Sequence, residues 1–409
     1  YCIHCQTLNK KITLAKWRTT NKKMSVAACG AFTVGAGLVY RRLHAYTYTG
    51  YAYGALTLRS NALVRSKPSL LLVSDLDGTL AGVGARASAD RAARDESVAS
   101  LAEFNAAWCA RAAACDAYLC YSTGRELHSY EDLVARLAKY ARSEACPLMQ
   151  PNILITHDGT RIDWFDDPSS PAARHDAEWD ERMASAWDEA YVLRVFADAV
   201  AARGAESLVH SVERLKLEEG VSCDPYRYSV LIDDVEVATA LCDDIQRVFD
   251  AAEADRYGVF WCSGGPKNTF WLAALPRCGG KGNALEFVRS KLDAERGATF
   301  VAGDAGNVSH KRVGSSLLSF SLCFLLLLTM FSSFPLSLSL SLSFFLSFFK
   351  KQDIPMFSIA GVRGVAVANA HDELCALVNA PASQHVAASR RFAGGVLDAL
   401  RGWGQLKNQ

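Results

Sequence analysis

The sequence predicts an α/β fold, a Rossmann-like parallel sheet with helices between its strands and a smaller α/β domain inserted into it. Three observations carry this. Short apolar runs ending in acids or glycine recur at "SLLLVSDLDGTL", "AYLCYSTGR", "PNILITHDGT" and "ATFVAGDAGN". Such runs are the pattern of buried parallel strands that each deliver a loop. Helical stretches such as "HSYEDLVARLAKYA" and "KGNALEFVRSKLDAER" lie between them, giving strand-helix alternation. From about 161 to 274 the rhythm changes. There "DAEWDERMASAWDEAYVLRVFADAVAARG" is helical by spacing, "YRYSVLIDD" and "YGVFWCSG" read as strands, and "EVATALCDDIQRVFDAAE" is again a helix. A compact insert of that length is a second domain.

The expected segments in order are a basic tail or transit peptide (1–67), a first core part (68–160), the insert (161–274), a second core part (275–307), a low-complexity insertion (308–352) and a third core part (353–409). The tail has lysine and arginine throughout but no aspartate or glutamate, as transit peptides do. Met24 is an alternative start. Cys2 and Cys5 have the spacing of half a zinc site, yet no second pair follows at a suitable distance, so chance is the better reading.

Half of the 409 residues are apolar, enough for a sizeable core. Lysine plus arginine (44) nearly balance aspartate plus glutamate (43), which removes the general electrostatic reason to expect nucleic acid. A small molecule is the expected partner. The 13 cysteines show no repeated spacing, as where thiols stay reduced. That points to the cytoplasm, or to a plastid if the basic segment is a transit peptide.

Asp75 and Asp77 stand two apart directly after a buried strand, so in extended backbone both carboxylates share a side. Paired acids there suit a hard divalent cation or a nucleophile with a neighbouring acid/base, and strand carboxyl ends are where open α/β sheets bind ligands. Thr123 and Gly124 follow the second strand, where a hydroxyl and backbone N–H groups can hold phosphate oxygens. Lys281 opens a helix, a position for an ammonium facing anionic oxygens. Asp304 ends another strand, beside glycines. A solvated loop or a surface lysine explains any one of these alone, but not all four in this order.

The order DLDGT, STGR, GKGNAL and GDAGN resembles the haloacid dehalogenase superfamily, and in detail its sucrose-6-phosphate phosphatase family. The resemblance covers about 69 to 307 and 353 to 403. It includes "EWDERMASAWDEAYV" and "YRYSVLID" as elements of a cap domain, and "GVRGVAVANAHDELCALV" with "RRFAGGVLDAL" as the last strand and helix. It implies a magnesium-dependent phosphatase acting on a small-molecule sugar phosphate, sucrose-6-phosphate by family. Asp75 would be the nucleophile and Asp77 the acid/base. Thr123, Gly124 and Lys281 would hold phosphate oxygens, with Asn307 nearby. Asp75, Asp77 through its carbonyl, Asp304 and Asp353 would form the metal site, and the insert would close over the sugar. Association with the enzyme that forms the substrate is a further expectation. Three departures lie on the sugar side. "THDGTR" stands where the family tends to have serine-valine-glycine-threonine-glutamate, Arg227 stands for a lysine, and "PKNTFWLAALP" lacks acids before its proline. The alternatives are a phosphatase for another phosphorylated glycoside, or a non-catalytic sugar-phosphate-binding protein if the interrupted fourth motif is genuine.

That interruption is the segment 308–352. "GDAGN" stops at Asn307 and "DIPMF" starts at Asp353, as if the two were one loop. Every residue from Phe331 to Phe349 is Phe, Ser, Leu or Pro, all with purine-free codons. Val308-Ser309 can be encoded GTG AGT, a splice donor, and Gln352 can be CAG, an acceptor end. The segment therefore reads as a retained intron. A membrane span is the rival, since nothing from Val313 to Phe349 is charged, but it would part Asn307 from Asp353. A tolerated loop is the third reading. No membrane partner is expected unless the segment is real.

Overall fold

The computed structural model describes residues 67–82, 91–114, 116–140, 148–165, 173–211, 224–252, 256–263, 269–294, 296–305, 353–381 and 383–406. The basic N-terminal segment, Asn307 and the segment 308–352 therefore lie outside the described residues.

Two sheets organise the chain. The first has eight strands in the order β12-β11-β10-β1-β2-β3-β4-β5. β1 (Leu70–Ser74), β2 (Ala117–Ser122), β3 (Ile153–Thr156), β10 (Thr299–Gly303), β11 (Arg363–Ala366) and β12 (Val386–Ala387) run parallel. β4 (Arg161–Trp164) and β5 (Arg174–His175) add an antiparallel edge. All five residues of β1 are buried, as a central parallel strand requires. Its side chains alternate. Leu70 and Leu72 enter a cluster with Leu101, Phe104 and Trp108 of α1 (Arg91–Ala114), Leu133 of α2 (Leu127–Tyr140) and Leu397 near the C-terminus. Leu71 and Val73 enter the opposite cluster with Trp179, Leu285 and Val288. A period of two thus gives one strand two apolar faces, each covered by helices.

The second sheet is antiparallel, in the order β6-β7-β9-β8, from β6 (Val209–Ser211), β7 (Tyr228–Ile232), β8 (Tyr257–Ser263) and β9 (Phe270–Pro276). The stretch read from sequence as one helical run is two helices, α3 (Ala177–Ala186) and α4 (Glu189–Arg203), because Asp176 and Asp188 each accept from the backbone N–H three residues on and start a new helix. Gly204, with φ 60°, ends α4. α4 and α5 (Val235–Ala252) cover the second sheet through Val192, Phe196, Leu241, Ile245 and Phe249. α3 goes the other way and buries Trp179 and Met183 in the core's cluster. Where the sequence starts the insert at 161, the chain first completes the edge of the core sheet and then crosses to the second one.

After β9 the chain returns through α6 (Lys281–Lys291) to β10, then reaches the short α7 (Ile354–Phe357), β11, α8 (Asp372–Val378), β12 and α9 (Phe392–Gly402). β1 lies between β2, which follows it in sequence, and β10, which returns from beyond the second sheet. Connections diverge to either side of β1, so a crevice opens at its carboxyl end, the position of ligand sites in open α/β sheets.

Candidate active site

Three neighbouring strands end at this crevice. In register, Ser74 of β1 pairs with Ala302 of β10 and Tyr121 of β2, so Asp75, Asp304 and Thr123 leave the sheet at nearly one level. Asp353, which precedes α7, joins them. Its Oδ2 accepts from the backbone N–H of Asp304 (3.2 Å) and Ala305 (3.0 Å). Its own N–H reaches the Ala305 carbonyl at 3.4 Å. The two ends of the fourth motif thus close on each other.

Lys281 enters from the first turn of α6. Its Nζ donates to Asp75 Oδ1 and Asp353 Oδ1, each at 2.7 Å, and its side chain is 3 % exposed. Burial would depress the ammonium's pKa, but the two carboxylates outweigh it and raise it. Burial pushes Asp75 up to about 7, with Asp353 and Asp77 adding to the shift and Lys281 opposing it. Burial and the carboxylates of Asp75 and Asp353 likewise raise Asp304 well above its ordinary range. One oxygen from each of Asp75, Asp304 and Asp353 lies within 4.8 Å of the other two. Three buried carboxylates face a single ammonium. An all-oxygen donor set with excess negative charge fits a hard divalent cation. The backbone makes room for it. Gly78 has φ 83°, and a Cβ there would stand 2.0 Å from Asp304 Oδ2, while one at Gly303 would stand 2.7 Å from Asp353 Oδ2.

The side chain of Asp77 does not join this cluster. Arg125, at the end of STGR, grips it by both oxygens, Nε to Oδ2 and Nη2 to Oδ1, each at 2.6 Å. The grip draws the DLDGT and STGR loops together. Thr123 is buried and its Oγ1 accepts from the Arg125 N–H at 3.1 Å. Next to it, Gly124 leaves no space for a side chain, since a Cβ would meet Asp158 Oδ1 at 2.6 Å. Asp75, Lys281, Asp304 and Asp353 therefore meet directly, and Asp77, Thr123 and Gly124 flank them.

Sequence reasoning missed three contributors. Thr79 donates from Oγ1 to Asp304 Oδ1 at 3.0 Å. Arg125 was visible in STGR, but its partner was not. Asn369 donates to the Gly78 carbonyl at 2.7 Å and accepts from the Phe392 N–H at 3.2 Å. It pins the DLDGT loop to the C-terminal helix, with no motif to announce it. The departures on the sugar side also find partners. Arg161 forks onto the buried Asp163 at 2.6 and 2.9 Å, and Arg227 closes on Glu126 and Asp158.

The sequence model of the sucrose-6F-phosphate phosphohydrolase family matches residues 68–311 and 348–404. The chain belongs to that family. The phosphohydrolase match covers both sheets and all four motifs, and it breaks within the serine- and leucine-rich stretch. Among relatives, the probable sucrose-phosphatase 1 of Arabidopsis thaliana is 27 % identical over 341 residues, 82 % of this chain and 60 % of the relative. The sucrose-phosphatase 2 of Nicotiana tabacum is 24 % identical over 82 % of this chain and 59 % of its own length. The chain thus spans about 60 % of the length of the curated relatives it matches. Of solved structures, the Synechocystis sucrose-phosphatase in complex with sucrose and phosphate superposes with a TM-score of 0.53 at 22 % identity, over 83 % of this chain and all of that one. A haloacid dehalogenase-like hydrolase from Bacillus subtilis gives 0.51 at 13 % identity, over 83 % and 94 %. The fold is that of the haloacid dehalogenase hydrolases, a Rossmann-like core with a second sheet inserted.

Proposed function

We propose that the protein hydrolyses a sugar phosphate, sucrose-6-phosphate, to sucrose and phosphate through an aspartyl-phosphate on Asp75. The observation that carries the reading is the buried cluster of Asp75, Lys281, Asp304 and Asp353 at the carboxyl end of β1, beside the Thr123–Gly124 loop. An Asp75 oxygen attacks phosphorus as the bond from phosphorus to the sugar oxygen breaks. Asp77 leaves Arg125, takes up a proton from solvent and passes it to the departing oxygen. It then takes a proton from water, whose oxygen attacks phosphorus and frees Asp75 as a carboxylate. Lys281, Thr123 and the Gly124 N–H hold the equatorial oxygens, where charge accumulates. Magnesium bound by Asp75, Asp304 and the Asp77 carbonyl, with Asp353 behind them, would neutralise part of that charge. By the family pattern, Asn307, which lies outside the described residues, would contact the phosphate. The substrate is that of the sucrose-phosphatase relatives.

A second reading, another phosphorylated glycoside, is favoured by the two sugar-side arginines, since Arg161 and Arg227 are both engaged by acids of this chain. Phosphate release from a panel of sugar phosphates tests both readings. Sucrose-6-phosphate should give the highest kcat/KM, with turnover abolished by chelation and lowered at least about a thousandfold by Asp75→Asn. Faster turnover of another glycoside phosphate would transfer the assignment to it. Magnesium-independent release, or release insensitive to Asp75→Asn, would overturn the mechanism.

A further inference from the structure

One buried cation lies outside the chemistry described above. Arg227 sits at the entry to β7, in the second sheet, yet its guanidinium is spent on the core. Nη1 donates to the Gly124 carbonyl at 3.1 Å and to Asp158 Oδ2 at 2.8 Å, and Nη2 donates to Glu126 Oε1 at 3.1 Å. The side chain is 8 % exposed. The charge is balanced in place and directed away from solvent, so it is built as a fastener rather than as a ligand waiting for an anion.

The turn that receives it is unusual. His157 and Asp158 have φ values of 56° and 57°, and Gly159 follows with 96°. Non-glycine residues seldom adopt this region and persist in it where their surroundings hold them. The surroundings here are the phosphate-holding parts of the site. The His157 N–H donates to the Arg125 carbonyl at 2.8 Å and the Asp158 N–H to the Thr123 carbonyl at 3.2 Å. Gly159 lies so close to α6 that a Cβ would meet the Gly280 carbonyl carbon at 2.3 Å. The turn is thus wedged between the Thr123–Gly124 loop and the start of the Lys281 helix. A second tie holds the same incoming strand to it, because Thr160 Oγ1 donates to Asp224 Oδ2 at 2.5 Å.

We infer that Arg227 is a positioning residue that couples the seating of the second domain to the shape of the phosphate-holding loop. With its fork on Gly124, Glu126 and Asp158, the backbone of Thr123–Gly124 is fixed by the inserted domain as well as by the core. When the fork is lost, the domain's entry strand and the loop loosen together. Only a planar guanidinium spans three acceptors in this way, so lysine is no substitute.

The coupling rests on the phosphatase reading only for its catalytic readout, so the test has two parts. Hydrogen–deuterium exchange on the full chain compares the parent with Arg227→Lys, Arg227→Met and Thr160→Val. In both Arg227 variants, exchange should quicken at 224–228 and also at 122–126 and 157–160. Quickening confined to 224–228 would overturn the coupling. In steady-state turnover of sucrose-6-phosphate, both Arg227 variants should lose kcat by roughly tenfold to a hundredfold, the scale of a misplaced reacting group. Thr160→Val removes the tie to Asp224 and a bond to the His157 carbonyl within the turn (3.1 Å) but leaves the Arg227 fork in place, and should lose less kcat than either Arg227 variant. Unchanged kcat in Arg227→Met, or equal losses in Thr160→Val and Arg227→Met, would reduce Arg227 to an ordinary anchor. If the parent turns over no sugar phosphate, the phosphatase reading fails alone, and the exchange pattern still decides the coupling.

Discussion

Burial and charge set the chemistry of individual residues at this site. Asp75, Asp304 and Asp353 are packed where water cannot solvate them, and Lys281 answers only part of their charge. Backbone N–H groups of Asp304 and Ala305 share in holding Asp353. Thr79 and Asn369 then fix the loop that carries Asp75. Gly78 is where this packing is least forgiving, having φ 83° and Asp304 Oδ2 at 2.0 Å from where a Cβ would stand. Gly78→Ala should therefore displace Asp304, cost about 1–3 kcal/mol in strain and weaken magnesium binding, measured by calorimetric titration. A variant binding the cation as tightly as the parent would show that the carboxylate can move aside.

At the scale of elements, the edge of the core sheet carries its own ionic device. His175 of β5 lies between Asp163 of β4 (3.4 Å) and Asp180 of α3 (3.2 Å). Burial alone would depress this imidazole, but the two carboxylates raise it to about 9. Its folded value exceeds its ordinary 6.5, so its stabilisation is complete below pH 6.5 and disappears as pH rises through about 9. Thermal melting from pH 6 to pH 9.5 should show a decline in the parent that His175→Gln lacks. Equal slopes in the two would remove His175 from the account. The strands and helices themselves were largely legible. β1, β2, β3 and β10 announce themselves as apolar runs ending in motif residues, and α2, α5 and α6 by helical spacing. Two things were not. The split between α3 and α4 depends on Asp188 acting as a cap within an otherwise continuous helical pattern. The assignment of β4 and β5 to the core edge depends on cross-strand pairing, which leaves no local trace. Within the site, Asp75, Thr123 and Asp304 follow from where strands end, and Lys281 from where a helix begins. The grip of Arg125 on Asp77 and the service of Asn369 are contacts across 48 and 291 residues of sequence, and no spacing rule reaches that far.

For the whole molecule, the site is assembled from parts separated by the second sheet and by the segment 308–352. Gly303, Asp304 and Ala305 meet Asp353 directly, and the family match resumes only after most of the segment has passed. These contacts support the reading of 308–352 as a retained intron. A chain lacking it should turn over sucrose-6-phosphate at least as fast as the full chain and remain soluble at higher concentration, because a long apolar run is removed. Loss of turnover on deletion would show that the segment serves the site. In the proposed reaction Asp75, held by Lys281 beside Asp304 and Asp353, takes the phosphoryl group. Acid quench during turnover of sucrose-6-phosphate labelled in its phosphate, followed by peptide mapping, captures that intermediate. Hydroxylamine-sensitive label should appear on the peptide containing Asp75 and be absent in Asp75→Asn. Phosphate release with no label on that peptide, or label at another residue, would contradict that reaction.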